Sequence, residues 1–316
     1  MRSRQLMVLA VAIAAISVIV VVIRIAPADS ARPPARAQAT LSAKLASYLG
    51  VYEKGPPESY KPIATFAAAA GRQPNLAGYF SGWGEPFKTA FATTAIRQGA
   101  ATLVQIDPTG ASIAAIAAGD YDDYLRSYAD AVHKFGHPVA IGFGHEMNAT
   151  WYTWGYGHVR AVTFVAAWRH LVTVFRREGA DNVTWLWTIQ ADVPGSGPIA
   201  SWWPGATYVS WVGIDGYYYR PNSTFATVFG GTISQVRSFT SKPILLSETS
   251  VGPDAGQAAG IQDLFRGMAA YQALGLVWFD ISQHDGIYHQ DWRLEDSRQA
   301  ELTFRRSVGT YLHYGP

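Results

Sequence analysis

Residues 145–148 read His-Glu-Met-Asn, at the end of the apolar run "PVAIGF" (138–143) and just ahead of the indoles in "ATWYTWG" (149–155). A strand buried on both faces has no use for an unpaired carboxylate, which costs on the order of several kcal/mol to bury or must neutralise itself. Glu146 therefore reads as a working group at a strand tip. A second carboxylate, Glu248, closes another apolar run, "PILLSE" (243–248). Paired carboxylates in an aromatic bowl suit glycosidic bond cleavage: one protonates the departing oxygen, and the other attacks the anomeric carbon or activates water. Trp and Tyr faces stack on sugar rings, and low polarity raises the pKa of a neighbouring acid. On this reading the indoles keep Glu146 protonated and hold a sugar beside it.

Both glutamates depend on strands to bring them together. Strand-like runs occur at 48–53, 76–80, 101–106, 138–143, 182–188, 208–214, 243–248 and 276–281, short and rich in Val and Ile as in parallel sheets. Helix signals lie between them. Asp120 is placed to cap a helix with Leu125, Tyr128, Ala129 and Val132 on one stripe and Gly136 as its stop. Phe164, Trp168, Leu171, Val172 and Phe175 form a second stripe ending at Gly179, and a last helix is expected from Asp296 to about Leu312. The segment after the fifth strand is irregular, so its helix is the weakest. Eight alternating units predict an α/β fold, a (β/α)8 TIM barrel, with an open doubly wound sheet as the competitor.

In such a barrel the site lies at the C-terminal ends of the strands. Those ends carry Gln105 and Asp107; His145, Glu146 and Asn148; Gln190 and Asp192; Asp215 and Tyr217; Ser247 and Glu248; Trp278 and Asp280. Glu146 and Glu248, three strands apart, can face one bowl from nearly opposite walls.

The chain has 316 residues and no cysteine, so disulfides and thiol-anchored lipids are excluded. Arg2 and Arg4 precede an apolar stretch, residues 6–23, followed by a Pro/Ala/Arg linker with an Ala35-Arg36-Ala37 cleavage pattern. Residues 1–40 thus read as a signal peptide or a membrane anchor, with 41–316 as the catalytic domain, secreted or tethered on the extracytoplasmic side. Five of the 25 basic residues and one of the 23 acidic ones precede residue 38, leaving 20 and 22. The exported part has no basic block, which argues against a nucleic-acid partner.

"HEMNATWYTWG", followed in order by "WVGIDGYY", "PILLSET" and "LVWFD", resembles glycoside hydrolase family 26, the β-mannanase-type enzymes of the retaining 4/7 barrel superfamily. The similarity spans roughly residues 45–285. It implies Glu146 as general acid/base and Glu248 as nucleophile. By the same resemblance His145 holds the acid and binds sugar, and Tyr217 hydrogen-bonds Glu248 and lowers its pKa. Trp151 and Trp278 would be sugar platforms, and Trp154, Asn148, Asp107 and Trp203 join the candidate substrate contacts. Endo-β-1,4-mannanase is the first expectation, with β-glucanase, β-xylanase or cleavage of the cell's own exopolysaccharide as alternatives. Relatives often carry Arg at the position of Gly142 and Gly at that of Ala149, so the sugar subsites differ here.

Structural alternatives stand beside these readings. Glu248 could be an ion-pair partner, His145 a satisfied core histidine, Trp278 barrel packing, and Trp203 a loop cover. Tyr217 competes with Tyr218 and Tyr219, since strand alternation lets only one or two point inward. A barrel that binds glycan without cleaving it is the non-enzymatic alternative. "GFGHEM" fails the dinucleotide fingerprint at Met147, and "HEMNA" lacks the second histidine of a zinc motif at Ala149. His133 and His137 are separated by Gly136, with Pro138 following, which breaks the helix needed to align them. No metal or cofactor is implied.

Overall fold

The computed structural model describes residues 40–191, 198–254, 256–283 and 290–313. Residues 1–39 of the expected export or anchor segment (1–40), and Asp192, lie outside these. No described helix is long and apolar enough to cross a membrane.

Eight parallel strands close into a barrel: β1 (Tyr48–Glu53), β2 (Leu76–Gly82), β3 (Ala101–Asp107), β4 (Val139–Phe143), β5 (Val183–Gln190), β6 (Trp211–Tyr218), β7 (Ile244–Val251) and β8 (Gly275–Asp280). β8 pairs back onto β1, which excludes the open doubly wound sheet. Each expected run overlaps a strand, and the sixth is displaced furthest, from 208–214 to 211–218.

Two helices, α3 (Ile113–Ala118) and α4 (Asp122–Phe135), follow β3, after α1 (Lys61–Ala70) and α2 (Thr89–Arg97). α5 (Ala161–Arg177) follows β4, and α6 (Gly231–Arg237), α7 (Gln257–Ala270) and α8 (Arg298–Tyr311) complete the described outer ring. Between β5 and β6 only a 3₁₀ turn, Ile199–Trp202, is present among the described residues. The stripes expected on α4 and α5 are buried. Asp120 does not cap α4. Its N–H instead bonds the carbonyl of Ala115 and closes α3 beyond Gly119, which takes φ 91°. Asp122 and Asp123 in the first turn complement the positive end of α4. The last helix, expected from Asp296, begins at Arg298 and is capped by Ser297, which accepts from the N–H of Ala300 at 3.3 Å.

Side-chain alternation divides the core in two. Tyr52, Leu76, Leu103, Leu186, Trp211 and Val277 fill the barrel interior, while outward residues such as Leu49, Ile141, Leu246 and Trp278 pack beneath the helices. Each fully buried large apolar side chain contributes roughly 1.5–3 kcal/mol. The same period of two continues to the strand tops, turning Gln105 and Asp107, Asp215 and Tyr217, and Phe279 inward.

β7 departs from that period. From Gly213 to Asp215 on β6, the pairing on β7 runs from Leu245 to Glu248. From Leu276 to Trp278 on β8, it runs from Leu246 to Thr249. β7 thus carries one residue more than either neighbour, a bulge. This extra residue lets adjacent Ser247 and Glu248 both face the interior.

Candidate active site

The chain leaves β4 through Gly144, at φ 54°, and reaches Glu146, also at φ 54°. A left-handed backbone is unfavourable for a residue with a side chain and is kept only where its surroundings over-determine it. Here the N–H of Glu146 donates to the carbonyl of Thr188 at 3.0 Å, and its own carbonyl accepts from the N–H of Ala149 at 2.9 Å. Asn148 ties the same turn to β5. Its amide donates to the carbonyl of Gln190 at 2.8 Å, and its oxygen accepts from the N–H of Gln190 at 2.9 Å. This amide, expected among the sugar contacts, is buried and engaged with backbone, so it shapes the loop.

Glu146, Asp215 and Glu248 each bring one carboxyl oxygen within 4.8 Å of the other two, and all three are buried. At that spacing two unit charges repel by roughly 3 kcal/mol at an effective dielectric of about 20. Crowding of this kind is relieved by protons or by a cation. Burial raises the pKa of Glu146; the charge of His145 and the indole N–H of Trp151, which donates to Oε2 at 2.7 Å, pull it down. Burial is therefore what favours the protonated acid, and the indole opposes it. Glu248 is pushed up to about 7, by burial first and then by the charge of Glu146. Tyr217 donates its hydroxyl to Oε2 of Glu248 and works downward, as does His145, but the net direction is opposite to that expected from Tyr217 alone.

Asp215 lies deepest. Ser247 Oγ donates to its Oδ1 at 2.5 Å, while Oδ2 has no hydrogen-bond partner. Burial, followed by the charges of Glu248 and Glu146, holds its pKa well above the usual carboxylate range.

His145 is buried between Asp107, whose Oδ1 lies 2.9 Å from Nδ1, and Tyr152, whose hydroxyl lies 3.1 Å from Nε2. Burial opposes the imidazolium, but Asp107, with Glu146 and Glu248, outweighs it and raises the ring to about 9. Near neutral pH the ring is a cation that donates from both nitrogens. Asp107 thus holds the histidine.

The aromatic assignments change more. Trp151 is 45% exposed beside Glu146, a place from which its ring can reach a sugar. Trp154 is buried, donates to the carbonyl of His145 at 2.9 Å, and stacks under Tyr152 with centroids 4.3 Å apart. It supports the site from below and is no platform. Trp278 faces outward, with its indole against Phe304 of α8 (5.0 Å) and its N–H on the carbonyl of Trp292 (3.1 Å). Alternation gives the inward position to Phe279, which meets Tyr217 edge-on at 5.8 Å. Trp203 packs on Trp187 (5.1 Å) and Phe239 (5.5 Å), outside the barrel wall. Tyr152 was missed, although its place between Trp151 and Trp154 was a signal. So was Phe80, 5.4 Å from His145, whose inward parity on β2 could have been counted.

Within β4, Gly142 leaves room for Gln105 of β3, its register partner. A Cβ at 142 would lie 1.8 Å from Gln105 Oε1 and 3.1 Å from the carbonyl oxygen of Leu186. Gln105 Nε2 donates to Thr188 Oγ1 at 3.1 Å.

A closed parallel barrel with a buried carboxyl pair at its C-terminal mouth has the architecture of a barrel glycosidase. The family model for glycosyl hydrolase family 26 matches residues 91–308, and the chain belongs to that family. Among curated proteins it is similar to endoglucanase H of Acetivibrio thermocellus, 26% identical over 272 residues, covering 81% of this chain and 30% of that protein. It is also similar to mannan endo-1,4-β-mannosidase A and B of Caldalkalibacillus mannanilyticus, 34% identical over 110 residues, covering 33% of this chain and 21% of that protein. The chain spans less than a third of the length of these relatives. A solved Bacillus subtilis mannanase shares the fold, with a TM-score of 0.62 at 17% identity, covering 85% of this chain and 86% of that one.

Proposed function

We propose that the protein is a retaining β-glycanase, with endo-acting cleavage of β-1,4-mannan as the first substrate. The observation that carries this reading is the pair Glu146 and Glu248, with carboxyl oxygens within 4.8 Å in a buried, aromatic-rimmed site. Retaining enzymes hold their carboxyl groups about 5–5.5 Å apart, whereas inverting ones need about 6.5–9.5 Å to admit water. In this mechanism Glu146 protonates the departing glycosidic oxygen while Glu248 attacks the anomeric carbon and forms a glycosyl-enzyme. Glu146, now ionised, takes a proton from water as it adds to that carbon, and Glu248 leaves. Tyr217 orients Glu248, His145 supplies positive charge beside both glutamates, and Trp151 offers a ring to the sugar. The similarity to a protein named endoglucanase H over most of this chain favours β-glucan as the second substrate.

We further propose extracytoplasmic action, secreted or tethered, on the strength of the apolar stretch at residues 6–23. Polysaccharide too large to enter a cell suits that placement.

The test is incubation of the protein with β-mannan, mixed-linkage β-glucan and β-xylan, alongside Glu146→Ala and Glu248→Ala. New reducing ends on one polymer, formed first as the β-anomer and lost in both variants, are expected. Glycan binding without turnover in the unmutated protein would point instead to a binding barrel.

A further inference from the structure

Asp215 is the third carboxyl of the cluster, and neither glutamate's role explains it. It is the register partner of Glu248 across β6 and β7, and the bulge in β7 brings Ser247 and Glu248 to bear on it together. Its Oδ1 accepts from Ser247 Oγ at 2.5 Å, and the backbone N–H of Glu248 also donates to this carboxyl. Its Oδ2 is buried without a partner, and so is Oε1 of Glu248. The groups facing Asp215 are Glu248 on β7, Glu146 beyond β4, Tyr52 on β1, Tyr217 on β6 and Tyr152 in the loop after β4. The pKa of each of the three tyrosines is raised, by burial first and then by carboxylate charge, so the tyrosines stay neutral. The nearby cation, His145, is shared between Asp107, which it bonds, and both glutamates. Three carboxyl groups therefore share a buried space with little positive charge left to balance them, and such a space tolerates few unpaired charges.

We propose that Asp215 is a positioning residue that holds the second of two protons shared by the three carboxyl groups, leaving Glu248 as the ionised member. Glu146 must carry the first proton to act as an acid. If Asp215 were ionised, its charge beside Glu248 would draw the remaining proton onto the nucleophile and block attack. Asp215 is the natural holder because it is fully buried, whereas Glu146 and Glu248 keep 6% and 5% exposure at the mouth of the site. With Ser247 on Oδ1, the partnerless Oδ2 is the oxygen left to bear the proton. The inference rests on the assignment of Glu248 as nucleophile, but the placement of the proton can be measured without substrate.

The experiment compares the protein with Asp215→Asn and Ser247→Ala by infrared difference spectroscopy near neutral pH, with pH profiles of kcat/KM on the responsive polymer. One protonated-carboxyl C=O band should disappear in Asp215→Asn. The same band should shift in Ser247→Ala, which keeps Asp215 and removes the hydroxyl on its Oδ1. The acid limb of Asp215→Asn should move by less than about half a pH unit, because one neutral group replaces another. Identical carboxyl bands in the unmutated protein and Asp215→Asn, or a band unmoved in Ser247→Ala, would overturn the proposal. So would an acid limb falling by more than about one pH unit in Asp215→Asn, the mark of a lost negative charge. If no polymer is cleaved, the infrared comparison decides the proton's place while the glycanase reading fails separately.

Discussion

Trp151 donates its indole N–H to Oε2 of Glu146 at 2.7 Å from a ring that stays 45% exposed. One side chain therefore touches the acid with its edge and offers its face to solvent. Its hydrogen bond favours the ionised carboxylate, against the burial that keeps the proton on.

Trp151→Phe separates these two effects. Loss of the N–H removes a downward influence, so the pKa of Glu146 rises and the alkaline limb of kcat/KM moves to higher pH, with KM little changed. Trp151→Ala also removes the ring and should raise KM about tenfold, corresponding to an aromatic contact of about 1.5 kcal/mol. An alkaline limb that stays fixed in Trp151→Phe would mean that Glu146 is not the acid this profile reports.

Glu248 makes stability depend on pH. Its pKa is about 7 in the folded chain against an ordinary 4.5, so the unfolded chain releases this proton first as pH rises. The stabilisation is fully present below 4.5 and is lost as pH climbs to about 7. Glu248→Gln should therefore be more stable than the unmutated protein at pH 8, by up to about 3 kcal/mol, with the advantage fading towards pH 4. Denaturant melts at the two pH values measure it. The same gap at both would show that Glu248 ionises freely in the fold.

Asp107→Asn tests the histidine. With Asp107 gone, burial dominates and the pKa of His145 falls from about 9. A raised histidine contributes stability that is full below 6.5 and lost as pH rises through 9. The variant should melt lower than the unmutated protein at pH 6, with the difference shrinking towards pH 10. Loss of the cation beside both glutamates should also move the acid limb of kcat/KM to higher pH. A melting deficit that does not vary with pH would leave Asp107 a packing role only.

The barrel was legible because parallel strands buried on both faces announce themselves as short apolar runs, and each such run overlaps a strand. The two glutamates were legible as carboxylates ending such runs, and the fold brings them together. What escaped was governed by parity and by turns. Trp278 and Phe279 are neighbours, and only pairing with adjacent strands reveals which faces inward. The bulge in β7 adds a residue that composition cannot show. Asn148 looks like a sugar ligand until its amide is seen on the backbone of Gln190. Asp120 carried a capping signal that α3 used first. Tyr152 stood between two tryptophans that drew attention from it, yet it bonds His145 and stacks on Trp154.

Gly142 and Gln105 form a lock in which the absence of one side chain houses another. A residue with a side chain cannot enter at 142 while Gln105 keeps its rotamer, since the new Cβ would fall 1.8 Å from Oε1. Shortening Gln105 alone would leave a gap in the wall and strip Thr188 of its partner. Redesign of this wall is thus a two-step path whose intermediates are both worse than either end. A library that varies one position at a time would not cross it, whereas paired variation at 105 and 142 would.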